Sequence, residues 1–140
     1  MDIRQITPRY SVSPQINPED LPAIAEAGFT RVICNRPDVE VPPSHQAAAI
    51  QEAAEAAGLE FEVLELTHPT MSPERAAAQM ALIEGSSGPV LAYCASGTRC
   101  SVIWAISQAG HMTTDKILSA TAAAGYNLEN LRPGLDRLQG

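Results

Sequence analysis

One stretch of the chain brings together a nucleophile, backbone N–H groups and a fixed positive charge: Val90-Leu91-Ala92-Tyr93-Cys94-Ala95-Ser96-Gly97-Thr98-Arg99-Cys100-Ser101. An apolar run ends at Cys94. Four small residues follow, and Arg99 precedes the apolar helical pattern of Val102, Ile103, Trp104 and Ile106. A free thiol, with a pKa of about 8.5, is mostly protonated at neutral pH, but a helix N-terminus and a nearby cation lower that value. Gly97 permits positive φ, so the N–H groups of Ala95, Ser96, Gly97 and Thr98 can turn inward as an anion nest. Arg99 offers a planar fork that matches two oxygens of a phosphoryl or sulfuryl group. These residues predict a Cys94 thiolate nucleophile in an oxyanion-binding cradle, with Arg99 as its cation. An inert buried cysteine at a strand end would leave Gly97 and Arg99 unexplained.

Hydrolysis of a phosphate ester also calls for a general acid to protonate the leaving alcohol. Two residues are candidates: His68 in Leu66-Thr67-His68-Pro69-Thr70, and Asp38 in the loop from Asn35 to Pro43. His68 reads more simply as a surface histidine, although an ordinary imidazole pKa of about 6.5 permits acid–base work. Asp38 suits capping of a turn after Pro37 equally well. Arg36 could add a second positive charge at the mouth of the cradle, and an ion pair with Asp38 or Glu40 is the simpler role. Cys34 reads as a small core residue, with a regulatory disulfide to Cys94 as the sharper alternative. Cys100 reads as packed rather than reactive. His45 and His111 make no metal-ligand pattern with the cysteines, so neither metal nor cofactor is expected.

Alternating strands and helices must position these groups. Arg9–Val12 reads as a short edge strand. Asn17 and Pro18 open a helix that runs to Gly28. Thr30–Cys34 is a buried strand. Ser44 caps a helix through Ala57, closed by Gly58. Glu60–Leu66 alternates acidic and apolar residues as a half-exposed strand does. Ser72-Pro73-Glu74 opens a third helix that ends near Gly85, and Gly88-Pro89 turns into the strand that delivers Cys94. After the cradle helix, Thr114-Asp115 caps another helix ending at Gly125, and Asn127 starts a short last one. This order predicts an α/β fold: three layers, with a mainly parallel sheet flanked by helices. Ligands in such sheets bind beyond the carboxyl ends of the strands, where Cys94 and the loop after Cys34 would meet.

A length of 140 residues suits one domain spanning 1–140. A formal net charge of −7 disfavours nucleic acid and anionic membrane as partners, since both reward basic surfaces. The expected ligand is a small anionic substrate or phosphorylated group, attracted locally by the cradle. No apolar run approaches the roughly 20 residues that span a bilayer. Met1-Asp2-Ile3-Arg4-Gln5 lacks the features of a secretory signal, and three cysteines fit a reducing compartment, so a cytoplasmic location is expected.

Five motifs in order carry a family resemblance: Ser13-Pro14-Gln15, Glu19-Asp20-Leu21, Cys34-Asn35-Arg36-Pro37-Asp38, Tyr93-Cys94 through Arg99, and Ala124-Gly125-Tyr126-Asn127-Leu128. Together they resemble the phosphatase-like domain of beta-lactamase-hydrolase-like proteins, over nearly the whole chain. The resemblance implies a protein-tyrosine-phosphatase-like fold of the dual-specificity type, with Cys94 as nucleophile and Arg99 as phosphate-binding residue. It also implies a metallo-hydrolase-like functional partner. Tyrosine phosphatases place five residues between Cys and Arg and then Ser or Thr. Here four intervene and Cys100 follows. The shorter cradle is similar to that of single-domain rhodaneses, which carry a persulfide. Three functions follow as expectations: a phosphatase-like hydrolase working through a phosphocysteine, a sulfurtransferase carrying sulfur on Cys94, and a non-catalytic oxyanion-binding module.

Overall fold

The computed structural model describes residues 1–140. Its strands are β1 (Arg4–Thr7), β2 (Tyr10–Ser13), β3 (Arg31–Cys34), β4 (Glu60–Val63) and β5 (Val90–Tyr93). They form one sheet in the order β1-β2-β5-β3-β4, parallel throughout except for the β1–β2 hairpin. The helices are α1 (Leu21–Glu26), α2 (Ala47–Ala56), α3 (Pro73–Glu84), α4 (Thr98–Gln108), α5 (Thr114–Ala123) and α6 (Arg132–Leu138). The α/β architecture with a mainly parallel sheet is the one the element order predicts.

The period of two along each strand divides the interior into two cores. Tyr10, Val12, Ile33, Val90, Ala92 and Cys94 face α3, α4, α5 and α6. Val32, Cys34, Leu91 and Tyr93 face α1 and α2. Cys34 and Cys94 therefore lie on opposite faces of the sheet, and all three thiols are free. The register aligns Ser13, Tyr93, Cys34 and Val63 at the carboxyl ends of their strands. Cys94 and Asn35 follow at that rim, and the segment after β4 joins them, where Leu64 and Leu66 N–H bond the carbonyls of Cys34 and Asn35 at 2.9 and 2.8 Å.

Several boundaries differ from the sequence expectation, each for a local reason. The first strand is not the edge: β1 pairs outside it, a short, half-exposed Arg4-Gln5-Ile6-Thr7 with no apolar run to announce it. Ser44 does not cap α2. Proline-held 3-10 turns at Asp38–Glu40 and Pro43–His45 occupy that stretch, and α2 begins at Ala47. The strand expected through Leu66 ends at Val63. Thr113, one residue earlier than expected, caps α5 by accepting from Lys116 N–H.

A buried polar chain ties α3 to the sheet beneath the site. Asn35 and Gln79, both fully buried, exchange amide hydrogen bonds of 2.8 and 3.0 Å. Gln79 also donates to the Tyr10 hydroxyl, which donates to the Cys100 carbonyl at 2.8 Å. Buried polar groups cost most when a partner is removed. Gln79→Leu, which leaves Asn35 without its donor, is expected to destabilise the fold by about 2–4 kcal/mol, read from the urea midpoint at constant slope.

Candidate active site

Cys94 is fully buried at the end of β5, and the chain turns immediately around its sulfur. Gly97 adopts φ 90° and opens α4, the conformation its lack of a side chain permits. Its N–H donates to Cys94 Sγ at 3.2 Å. Ser101 then bonds the Gly97 carbonyl with both its N–H and its hydroxyl, at 3.0 and 2.8 Å, which fixes the first turn of the helix. The Ser96 and Thr98 side chains bond one another across the outer edge of the loop at 2.9 Å.

This setting pulls the Cys94 pKa down to about 5. The largest cause is a hydrogen bond from the Cys100 thiol, and backbone N–H groups of Cys100, Ser96 and Gly97 add to it. Burial opposes the shift, and the donors outweigh it. Cys100 is itself driven well above the ordinary thiol range, first by burial and then by Cys94, so it keeps its proton and can donate. Cys100 is packed, as its position on the cradle helix suggests, and it also belongs to the site. Cys100→Ala is expected to raise the pH midpoint for iodoacetamide alkylation of Cys94, and Cys100→Ser to retain most of the depression. Folding lowers this pKa, so its stabilising contribution is complete above the unfolded thiol pKa and is lost as pH falls through about 5.

Arg99 does not point free into the cradle. Both of its Nη atoms bond the Glu40 carboxylate, at 2.7 and 2.8 Å, and Nη1 also bonds the Leu66 carbonyl at 2.9 Å. Hydrogen bonding to Glu40 is the main cause that raises the Arg99 pKa, and the same bonding lowers that of Glu40. Arg36 Nε donates at 3.1 Å to Glu40 Oε1, the oxygen that also accepts from Arg99 Nη2, and Arg36 Nη1 donates to Gln15 at 3.2 Å, the ion-pair role expected for it. Glu40 escapes a sequence reading because 59 residues separate it from Arg99.

A cleft of about 540 Å³ opens above the cradle, lined by Glu40, Thr67, His68, Pro69, Ala95, Ser96, Thr98 and Arg99. His68 stands exposed on its wall, at the start of the 3-10 turn His68–Thr70. Asp38 is not part of this lining. Its Oδ1 accepts the Ala47 N–H at 2.8 Å, at the start of α2, so its carboxylate serves the helix terminus. Tyr126, which the sequence shows only as part of a family motif and with no role, also reaches the site: its hydroxyl donates to the Ser96 carbonyl at 3.0 Å.

The sequence profile of the family described as "Beta-lactamase hydrolase-like protein, phosphatase-like domain" matches residues 2–111. A beta-lactamase hydrolase-like protein from Xylella fastidiosa (strain 9a5c) is 30% identical over 139 residues, which are 98% of this chain and 32% of that protein. The chain thus spans about a third of the length of that relative. Among solved structures, one titled as a candidate phosphatase from Neisseria meningitidis Z2491 has a TM-score of 0.88 at 36% identity, covering 99% of each chain. Tk-PTP in its active form has a TM-score of 0.73 over 99% of this chain and 96% of its own; at 17% identity this is a likeness of fold. The architecture is that of the protein-tyrosine-phosphatase-like phosphatases. No helix is long and apolar enough to cross a membrane.

Proposed function

The chain belongs to the family of the beta-lactamase hydrolase-like protein phosphatase-like domain, and from that premise we propose that it is a cysteine-dependent hydrolase of phosphate esters. The observation that carries this reading is the placement of the buried Cys94 thiol at the N-terminus of α4, where the Gly97 N–H donates to its sulfur at 3.2 Å and Arg99 follows in the first turn. In the proposed reaction Cys94 Sγ attacks phosphorus in line, and the bond from phosphorus to the leaving oxygen breaks. His68 passes a proton to that oxygen. The loop N–H groups and Arg99 hold the equatorial oxygens. Water then attacks phosphorus, its proton returns to His68, the S–P bond breaks and inorganic phosphate leaves. An entering oxyanion takes the Arg99 fork from Glu40, whose carboxylate keeps Arg36 as its partner. Three free thiols suit a reducing compartment such as the cytoplasm.

A second reading, sulfur transfer, has its own observation behind it. Both Arg99 Nη atoms are already engaged by Glu40, and four residues rather than five separate Cys94 from Arg99. A site so balanced suits a sulfane sulfur, which Cys94 would take from thiosulfate with release of sulfite and pass to an acceptor thiol. A metallo-hydrolase-like partner, which the family resemblance implies, would suit that chemistry. One experiment separates the two. The protein is quenched in acid during turnover of an aryl phosphate and, separately, after exposure to thiosulfate, and the peptide that contains Cys94 is weighed. A phosphoryl group on Cys94 in the first arm supports the hydrolase. Its absence, with an added sulfur in the second arm, overturns the hydrolase in favour of sulfur transfer.

A further inference from the structure

Tyr126 lies beyond α5, 30 residues from the loop it touches. Its N–H bonds the Thr121 carbonyl at 2.9 Å, closing that helix. Arg4 of β1 holds the same segment: its Nη1 donates to the Ala124 carbonyl at 3.1 Å, and its guanidinium lies over the Tyr126 ring, 5.9 Å from the centroid. The ring is thus fixed from β1 and from its own helix end, with its hydroxyl against the cradle. The contact is close enough that a Cβ on Gly97 would strike the hydroxyl, so a glycine is needed there for space as well as for its φ.

The atoms at the two ends of this contact belong to one peptide unit. The Tyr126 hydroxyl donates to the Ser96 carbonyl, and the next N–H in the chain, that of Gly97, donates to Cys94 Sγ. A trans peptide is planar, with its C=O and N–H pointing in opposite directions. Anchoring the carbonyl outward therefore aims the N–H inward at the sulfur. This loop is one residue shorter than that of tyrosine phosphatases, so fewer amides can turn inward, and the orientation of each matters more. We infer that Tyr126 is a positioning residue for the Cys94 thiolate, acting through the Ser96–Gly97 peptide. Burial raises the Tyr126 pKa, which keeps the hydroxyl a donor across the working range of a thiolate.

The inference rests on Cys94 being the reactive group of the proposed function, but its test does not depend on which reaction that group performs. The pH dependence of iodoacetamide alkylation at Cys94 is measured in the full chain. Tyr126→Phe keeps the ring and its Arg4 contact and removes only the hydroxyl. Its alkylation midpoint is expected to rise by roughly half a unit to one unit, the scale of a weakened hydrogen bond to a charged acceptor. Leu128→Ala disturbs the packing of the same segment with the hydroxyl intact, and its midpoint is expected to stay at the wild-type value. An unmoved midpoint in Tyr126→Phe, or an equal shift in Leu128→Ala, overturns the assignment. In the unaltered chain the Gly97 amide proton is expected to shift in NMR spectra as Cys94 ionises, and an amide that ignores that titration overturns it as well. In the unaltered chain, absence of phosphate-ester turnover together with a depressed Cys94 titration would count against the hydrolase alone.

Discussion

Cys94→Ser is expected to lower kcat for an aryl phosphate by about 10⁴-fold or more, while binding of inorganic phosphate or sulfate is kept. The substitution changes one atom. The pKa of sulfur at this position is lowered to about 5, so it is ionised at neutral pH, because Cys100 and three backbone N–H groups favour its anion over the cost of burial. A serine hydroxyl in the same place stays protonated, since its ordinary pKa lies far above any value those donors could bring to neutrality. The nucleophile is therefore lost and the cradle is not. Ala95, Ser96, Thr98 and Arg99 still line the cleft at the helix N-terminus, and the thiolate no longer repels an entering anion. Steady-state kinetics and calorimetric titration with sulfate separate the two effects: kcat collapses and anion affinity holds or improves. Turnover that survives in Cys94→Ser would mean that another group performs the chemistry, and His68 is the next nucleophile on the cleft wall.

The site was legible in the sequence as far as it is local. Cys94 through Arg99 stand within one turn of a strand-to-helix junction, and a strand end, a positive-φ glycine and a helix start are each recognisable from residue type. The same locality makes the parallel core strands readable, since the apolar runs Val32–Cys34 and Val90–Tyr93 need no partner to be recognised. What was not legible came from distance. Glu40 reaches Arg99 across 59 residues and Tyr126 reaches Ser96 across 30, and no periodicity signals either contact. Cys100 shows a subtler limit. Helical spacing says that it faces inward, which holds, but the fold of the loop alone decides that its inward neighbour is the Cys94 sulfur. Asp38 shows the converse: an acid beside the site in sequence whose carboxylate is spent on the start of α2. The hairpin strand β1 was missed because a half-exposed Arg4-Gln5-Ile6-Thr7 becomes a strand only through its partner β2.

Arg99→Ala is expected to weaken vanadate binding by about 10²–10⁴-fold, and Arg36→Ala by less than about tenfold. The difference follows from geometry. The Arg99 fork can give an oxyanion two parallel charge-assisted hydrogen bonds, each worth about 1.5–3 kcal/mol, and every 1.36 kcal/mol is a tenfold change. Its side chain is 12% exposed, so water replaces those bonds poorly once the guanidinium is removed. Arg36, in contrast, bonds Glu40 and Gln15 and is absent from the cleft lining, so its removal acts on the anion only through Glu40. Glu40 supplies the decisive contrast. Its carboxylate occupies both Nη atoms that an oxyanion would need, so Glu40→Gln is expected to tighten vanadate binding by weakening a competitor of the same charge. Calorimetric titration of the three variants reads all three signs. Equal losses in Arg99→Ala and Arg36→Ala would remove Arg99 as the anion's principal cation. A loss in Glu40→Gln would instead make the carboxylate a support that Arg99 requires, because holding the fork in place would then outweigh vacating it.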